Sequence, residues 1–159
     1  MHKTTIAVSV AALLIGLAAG VVIGQENTNA EIRALHAVYY QYFAEGRADL
    51  IAERIYHPNR MSFTADGVTI ASGREEVEAG FKRATESLAA QGYARSELPN
   101  PSICSPNPGT TIVSGMFRRY RGDGSILAEL GQTYIYGKTD DGWKIHATIN
   151  HGPNTVVGC

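Results

Sequence analysis

The clearest hydrophobic pattern in this chain is a set of three strand-like segments within residues 110–151. Each segment is rich in Val, Ile, Thr, Tyr and Phe, and the segments are separated by Asp123-Gly124 and Asp141-Gly142. Asp-Gly pairs tolerate the positive φ angles that a tight chain reversal requires. The pattern therefore predicts a curved antiparallel meander.

Helices are predicted in the first part of the chain. Residues 28–31 form a capping-box pattern, with Thr28 followed three residues later by Glu31, so a first helix is expected to begin there and end at Gly46. A short second helix is expected over residues 49–56, before Pro58. The first helix carries an apolar stripe made of Ile32, Leu35, Tyr39 and Tyr42.

A hairpin and a third helix are expected next. Residues 60–64 and 68–71 alternate like strands around Asp66-Gly67, and residues 72–75 repeat the capping-box pattern before a helix that ends at Gly92. Four of the six prolines follow the strand that begins at Tyr93. Because proline donates no ladder hydrogen bond, this strand is expected at a sheet edge.

The first 24 residues are interpreted as a targeting segment that precedes a single domain over residues 25–159. Residues 6–23 are an uncharged apolar run, and the small residues Val22 and Gly24 favour cleavage before Gln25. The run also approaches the roughly 20 residues of a membrane span, so an uncleaved anchor on the exported side remains an alternative. We therefore expect a periplasmic or secreted domain that meets a membrane only through an uncleaved leader.

The net charge and the distribution of basic residues indicate which kinds of partner the chain is expected to bind. The formal net charge is −1 and the basic residues form no extended cluster, so no nucleic-acid partner is expected. In an oxidising compartment, Cys104 and Cys159 are candidates for a disulfide that closes a loop of about 55 residues. An intermolecular bridge or two free thiols are the alternatives.

No metal-ligand spacing, HExxH, GxSxG or GxGxxG motif occurs, so neither a metal nor a cofactor is expected.

The order of elements resembles the nuclear transport factor 2-like superfamily, and within it the SnoaL-like domains. The resemblance rests on the break at residues 46–49, the hairpin with a helix behind it, and the closing turn TDDGWKI. It implies an α+β fold in which a cone-shaped, curved antiparallel sheet wraps around N-terminal helices. It also implies an apolar pocket at the open end and, commonly, a homodimer. Known members include ketosteroid isomerases, polyketide cyclases, scytalone dehydratase and pure binding domains, so fold does not select a function.

The resemblance also suggests candidate catalytic residues. Tyr39 matches the oxyanion-hole tyrosine of the isomerases and Tyr134 falls near their second donor, but Thr64 stands where they carry the catalytic aspartate. Two phenols without a carboxylate bind a carbonyl oxygen but do not abstract a proton at neutral pH. A histidine base is the alternative, and His57 and His151 are its candidates.

Side-chain alternation predicts which residues face the pocket. On the last strand His151 shares a parity with the apolar Ile145 and is expected to face inward. On the preceding strand, the register decides whether Gln132 and Tyr134 or Glu129 faces the pocket. Phe63, Phe81 and Phe117 are expected to form core or pocket wall. Tyr40 is expected at the helix flank or in a dimer contact, and His36 at the edge of the core or in solvent.

Three functions remain consistent with these patterns. The first is binding of a small, largely apolar molecule in the cone. The second is a cofactor-free lyase, cyclase or isomerase with His151 or His57 as base and tyrosines such as Tyr39 as donors. The third is a non-catalytic dimerisation or interaction module whose cone is filled by its own side chains. The residues expected to contact a ligand are Tyr39, Phe63, Phe81, Phe117, Gln132, Tyr134 and His151.

Overall fold

A computed structural model of the protein describes the backbone of residues 7–158 and the side chains of residues 26–158. The chain divides into two units, Met1–Ala34 and Leu35–Cys159. The first unit contains the N-terminal part of a long helix, and the second contains the rest of the fold. The elements are α1 Ala7–Ala44, α2 Ala48–Leu50, a π-helical turn Ile51–Ile55, β1 Tyr56–Thr64, β2 Gly67–Ser72, α3 Arg74–Ala89, β3 Tyr93–Glu97, β4 Ser102–Asn107, β5 Thr110–Arg121, β6 Ile126–Thr139 and β7 Gly142–His151.

The first helix begins earlier than its sequence pattern indicates. Residues 28–31 lie inside α1, so the predicted start at Thr28 is wrong. No proline separates the apolar run from the capping-box pattern, and the helix continues through both. Its end is as predicted, since Gly46 adopts a φ of +69° directly after α1.

The predicted leader, residues 1–24, lies entirely outside the described side chains. Residues 1–6 are not described, so the signal peptide and the uncleaved anchor stay predictions. Within the described part of the chain, no helix is both long and apolar enough to cross a membrane.

Seven strands form one mixed, curved, open sheet in the order β2-β1-β7-β6-β5-β3, with β4 also paired to β5. Strands β1 and β7 run parallel, and the other neighbours run antiparallel. The predicted turns are present, with φ of +126° at Gly67, +85° at Gly124 and +97° at Gly142. Strand β3 lies at a sheet edge, as expected. The α+β fold class is confirmed.

Helix α3 packs behind the β1-β2 hairpin and begins close to the predicted position. Its capping interaction is shifted by one residue, because the Ser72 amide donates to Glu76 Oε2 at 2.8 Å and not to Glu75. The buried side of α3 consists of Val77, Phe81, Thr85 and Leu88.

A register shift in β7 decides which of its side chains face the helices. Tyr136 of β6 pairs with Ile145, whereas Ile135 pairs with Ala147, so His146 has no partner of its own on β6. Successive side chains of a strand point to opposite faces, and one extra residue reverses that alternation beyond the bulge. Positions after His146 therefore face the opposite way from an uninterrupted count.

The shift corrects the expected facing of His151. Thr148 pairs with Tyr134 on the sheet face that contacts residues 35–44 of α1, which we call the helix face. His151 pairs with Gly131 on the opposite face, which we call the outer face. The prediction that His151 shares the inward side of Ile145 is therefore wrong, because the period-two count fails at the bulge.

The facing of β6 settles the alternative that the sequence leaves open. Tyr134 and Tyr136 are buried at the helix face, with exposed fractions of 1% and 0%, and Gln132 shares their parity. Glu129 lies on the outer face, where Arg118 Nε donates to its Oε1 at 2.6 Å. Gln132 and Tyr134, not Glu129, therefore face inward.

Of the three predicted wall phenylalanines, two face inward. Phe81 and Phe117 are buried, with exposed fractions of 6% and 4%. Phe63 pairs with Val68 of β2 and with Ile149 of β7, so it lies on the outer face. The expectation that Phe63 lines the interior is therefore wrong.

The C-terminal tail turns back over the outer face. His151 Nε2 lies 3.0 Å from Thr133 Oγ1, and the Val157 amide donates to Ser114 Oγ at 2.9 Å. A side chain at Gly131 would collide with the carbonyl oxygen of Gly152 and with the His151 ring, so this close approach requires glycine.

The tail also bears on the predicted disulfide. The structure places Cys104 in the buried part of β4, whereas Cys159 lies outside the described residues. The pairing of the two cysteines therefore stays a prediction.

Candidate functional site

An aromatic stripe on α1 packs against the helix face of the sheet. Its members follow the i, i+3, i+4, i+7 spacing of one helix side. The closest ring centroids lie 4.6 Å apart, between His36 and both Tyr40 and Tyr134. We call the whole set the aromatic cluster; it consists of His36, Tyr39, Tyr40 and Phe43 of α1, Tyr56 of β1, Phe81 of α3, and Tyr134 and Tyr136 of β6.

A directed chain of hydrogen bonds leads out of the cluster. The Tyr134 hydroxyl donates to Gln132 Oε1 at 2.9 Å, so its oxygen accepts a hydrogen bond from the Tyr40 hydroxyl at 3.2 Å. Gln132 Nε2 donates in turn to Asn150 Oδ1 at 3.1 Å, at the exposed end of β7. We call this chain the hydroxyl relay, and it leaves the Tyr40 oxygen able to accept a bond from a ligand.

His36 is the one buried histidine in the described part of the chain. Its Nδ1 lies 2.7 Å from the Tyr136 hydroxyl, and its Nε2 is buried without a hydrogen-bond partner among the described residues. Burial lowers the pKa of His36 to about 4, because desolvation penalises the imidazolium. The ring is therefore neutral at pH 7 and is a weak base.

The phenols of the cluster act as neutral donors. Burial raises the pKa of Tyr40, Tyr134 and Tyr136, since the phenolate loses its hydration. No Asp or Glu side chain in the described part of the chain is buried. The cluster therefore offers hydroxyl groups and a neutral imidazole, but no carboxylate positioned as a general base.

Two arginines reach the cluster without an ion-pair partner among the residues that the structure describes. The guanidinium carbon of Arg119 lies 5.1 Å from the Phe117 ring centroid and 5.8 Å from that of Phe43. That of Arg60 lies 4.9 Å from Tyr56 and 4.8 Å from Phe81. The Nε atoms of both arginines are buried without a hydrogen-bond partner among the described residues. The cluster thus sits between two cations stacked on aromatic rings.

An open groove of about 480 Å³ adjoins the cluster between the end of α1 and helix α3. Its size falls within the range of small-molecule pockets. Phe43 and Tyr93 form part of its wall and meet edge to face, with centroids 5.7 Å apart. Phe43 therefore belongs both to the groove and to the surroundings of Arg119.

The structure brings some of the predicted site residues together. The rings of Tyr39 and Tyr134 lie 6.2 Å apart, Phe81 contacts Tyr39 at the same separation, and Gln132 bonds to Tyr134. Phe117 stacks beside Arg119 at the edge of this group.

Three other predicted residues lie elsewhere. Phe63 and His151 are on the outer face, and His151 bonds to Thr133 and to the Gly152 carbonyl oxygen. The ring of His57 stacks on His146 with centroids 4.2 Å apart. The two histidine candidates are therefore not beside the aromatic cluster. Among the described residues, no group of three or more His, Cys, Asp or Glu side chains is placed to hold a metal ion.

Sequence reasoning missed several members of the site. Tyr40 is half-buried and bonded to Tyr134, not a helix-flank residue, and His36 is buried, not solvated. The burial of both residues could have been predicted from their i, i+3, i+4, i+7 spacing with Tyr39 and Phe43 if polar aromatic residues had been counted as part of the α1 stripe. Arg119 shares the parity of Phe117 on β5, but its charge favours an exposed position in a prediction from sequence.

The family model described as NTF2-like protein (DUF6841) matches residues 29–153. The chain belongs to this NTF2-like family. The match covers the C-terminal part of α1, the later helices and the whole sheet, and it confirms the superfamily that the order of elements resembles. No curated protein matches the sequence.

Solved structures agree with this NTF2-like assignment. An NTF2-like protein with a cystatin-like fold from Novosphingobium aromaticivorans is 20% identical, with 91% of this chain and 92% of that chain covered and a TM-score of 0.68. A cystatin-like domain from Nostoc punctiforme is 20% identical over 81% and 78% of the two chains, with a TM-score of 0.62. An NTF2-like superfamily protein from Salmonella enterica is 14% identical over 84% and 96%, with a TM-score of 0.61. At these identities the likeness establishes the fold.

Proposed function

We propose that this NTF2-like domain binds a small, largely apolar molecule at the aromatic cluster. The observation that carries this proposal is the combination of aromatic rings with polar atoms that keep an unused hydrogen-bonding position among the described residues. The Tyr40 oxygen, at the start of the hydroxyl relay, can accept a hydrogen bond, and His36 Nε2 is buried without a hydrogen-bond partner in the described part of the chain. Sites of this kind use apolar contact for affinity and a few polar atoms for orientation.

The chemistry of the cluster favours binding over proton transfer. An isomerase-type reaction needs a base whose pKa lies near the working pH. Burial holds the pKa of His36 at about 4, and the buried phenols stay protonated. Thr64, at the position of the isomerase aspartate, is exposed and donates to the Gly67 carbonyl oxygen. These features support a binding protein without an acid–base step.

The binding proposal is tested by calorimetric titration with 2-naphthamide, a neutral probe with an apolar body and one polar group. Tyr40→Phe removes the hydroxyl at the inner end of the relay and is expected to weaken binding about fivefold to tenfold, the worth of one neutral hydrogen bond. Tyr42→Phe is the matched control, because Tyr42 lies on the same helix and its hydroxyl accepts a hydrogen bond from the exposed Arg54, away from the relay. Failure of the wild type to bind, or equal effects of the two variants, would contradict the proposal.

We also propose that the domain works in the periplasm or outside the cell, with Cys104 and Cys159 joined. The apolar N-terminal run supports export. The described tail supports the pairing, because a side chain at Gly158 would lie 3.4 Å from Ser102 Oγ, two residues before Cys104. Native mass spectrometry of the protein purified from the exported fraction would report leader cleavage and the disulfide together. An intact leader on soluble cytoplasmic protein would contradict the export proposal.

A second candidate function is self-association through the outer face. Met61, Val68 and Ile70 expose 45%, 57% and 59% of their surface on the β1-β2 hairpin, and paired side chains place them on one face. A second copy of the chain is the occupant we propose. Light scattering would then report a dimer that Ile70→Glu dissociates and that the control Val38→Glu, on α1, leaves intact. A monomeric wild type would exclude this function.

A further inference from the structure

We propose that the ligand of this domain is an organic anion and that Arg119 binds its acid group. This inference rests on the proposed binding function and specifies the chemical class of the ligand. It follows from the position of Arg119, from its unused hydrogen-bond donors and from the apolar rings around it.

Strand pairing turns Arg119 toward the helices. Arg119 lies on β5 between Ser96 of β3 and Ala128 of β6, and it has the same parity as the buried Phe117. Its guanidinium stacks on Phe117 and reaches Phe43 of α1. The side chain is half-buried, so part of it remains in contact with solvent.

The donors of Arg119 are unused in the described part of the chain. A guanidinium carries five N–H donors in a planar fork that matches a carboxylate. Arg119 takes part in no hydrogen bond or ion pair with a described residue, and its Nε is fully buried. In contrast, the exposed arginines Arg47, Arg95 and Arg118 are each paired with a carboxylate.

The surroundings of Arg119 favour an anion with an apolar body. No Asp or Glu is buried in the described part of the chain, so no internal carboxylate competes for the guanidinium. The positive charge of Arg119 also acts on the phenols of Tyr39, Tyr40 and Tyr93. An acid group beside Arg119 would place its apolar body against Phe43 and Phe117. Buried cations are stabilised by such a partner, whereas an unpaired one is costly.

The test compares two probes of nearly equal shape and different charge. Calorimetric titrations at pH 7.5 and 50 mM salt measure the affinities for 2-naphthoate and 2-naphthamide. The wild type is expected to bind the carboxylate at least tenfold more tightly than the amide, as a charge-assisted hydrogen bond requires. Raising the salt concentration to 500 mM should weaken naphthoate binding and leave naphthamide binding unchanged.

Variants then assign the preference to one side chain. Arg119→Gln should lower naphthoate affinity at least tenfold and leave naphthamide affinity within about threefold. Arg118→Gln is the matched control, because it removes the neighbouring charge on the outer face and should change neither affinity. Arg119→Lys keeps the charge without the planar fork and should retain part of the preference.

The outcomes separate this inference from the proposed function. Equal affinity of the wild type for both probes would overturn the anion inference while binding itself stands. Binding of neither probe would overturn both. If Arg119→Gln does not fold, the wild-type preference for naphthoate, its salt dependence and the Arg119→Lys variant still test the inference. A preference that neither salt nor Arg119→Lys reduces would contradict the assignment to Arg119.

Discussion

Lowering the pH should destabilise this protein through His36. The pKa of His36 is lowered from 6.5 to about 4 by burial, so the folded state favours the neutral ring. Between these two values the unfolded chain binds more protons at this site than the native one does. The free energy of unfolding therefore falls as the pH drops below 6.5, and His36 contributes no such effect above pH 7.

The size of the effect follows from the two pKa values. Each unit of separation corresponds to about 1.4 kcal/mol, which gives a loss of about 2 kcal/mol at pH 5 and about 3 kcal/mol at pH 4. The loss of about 3 kcal/mol at pH 4 is at least about a fifth of the 5–15 kcal/mol that stabilises a typical domain. Urea unfolding at a series of pH values between 7.5 and 4.5 measures it.

Two variants isolate the contribution of His36. His36→Gln should be less stable than wild type at pH 7.5, because the packing of the ring is lost. Near pH 4.5 its stability should be close to or above that of wild type, because it lacks the titrating group that destabilises wild type there. Tyr136→Phe is the control, because it removes the 2.7 Å hydrogen bond but leaves His36 buried, and burial is the cause of the shift. Its pH dependence should match that of wild type. A His36→Gln deficit that stays constant over this pH range would refute the reasoning, as would an NMR titration of His36 centred near pH 6.5.

Three further predictions concern stability and are checked by urea unfolding. Gly131→Ala should cost about 2 kcal/mol, since its Cβ would displace the tail from the outer face, whereas Gly122→Ala meets nothing within 4 Å and should be nearly neutral. Lys144→Met should cost about 1–3 kcal/mol, because its ammonium donates to two carbonyl oxygens at the end of the π-helical turn at 2.9 and 2.8 Å. Lys82→Met, on exposed helix surface, is its control. Cys104→Ser, or reduction of wild type, should cost about 3–4 kcal/mol by freeing a loop of about 55 residues, and unchanged stability would contradict the disulfide.

The turns and the order of elements could be read from the sequence because local chemistry sets them. Asp-Gly pairs provide the positive φ angles at Gly124 and Gly142 wherever those residues stand in the fold. The sequence predicts only part of the buried stripe on α1, because His36 and Tyr40 carry polar groups and interrupt its apolar pattern. The facing of Arg119 follows from its parity with Phe117 on β5. Its lack of a carboxylate partner among the described residues could not be derived, because that depends on how elements distant in sequence pack beside β5.

The bulge at His146 determines which residue of β7 lies opposite Gln132 and therefore where the hydroxyl relay ends. Without the extra residue, the uninterrupted count would set Gln132 opposite Ile149, and the hydroxyl relay would end at an apolar side chain. With it, Gln132 pairs with Asn150 and the relay reaches solvent. The glycine at position 137 is a sequence feature that indicates this arrangement. A Cβ at Gly137 would lie only 2.8 Å from the His146 ring. A glycine inside a strand marks a bulge or a close approach, and β6 has two, one facing the bulged His146 and one beneath the tail. Gly131 and Gly137 therefore make room for the bulge and the tail that position the Asn150 end of the hydroxyl relay, although neither glycine belongs to the relay.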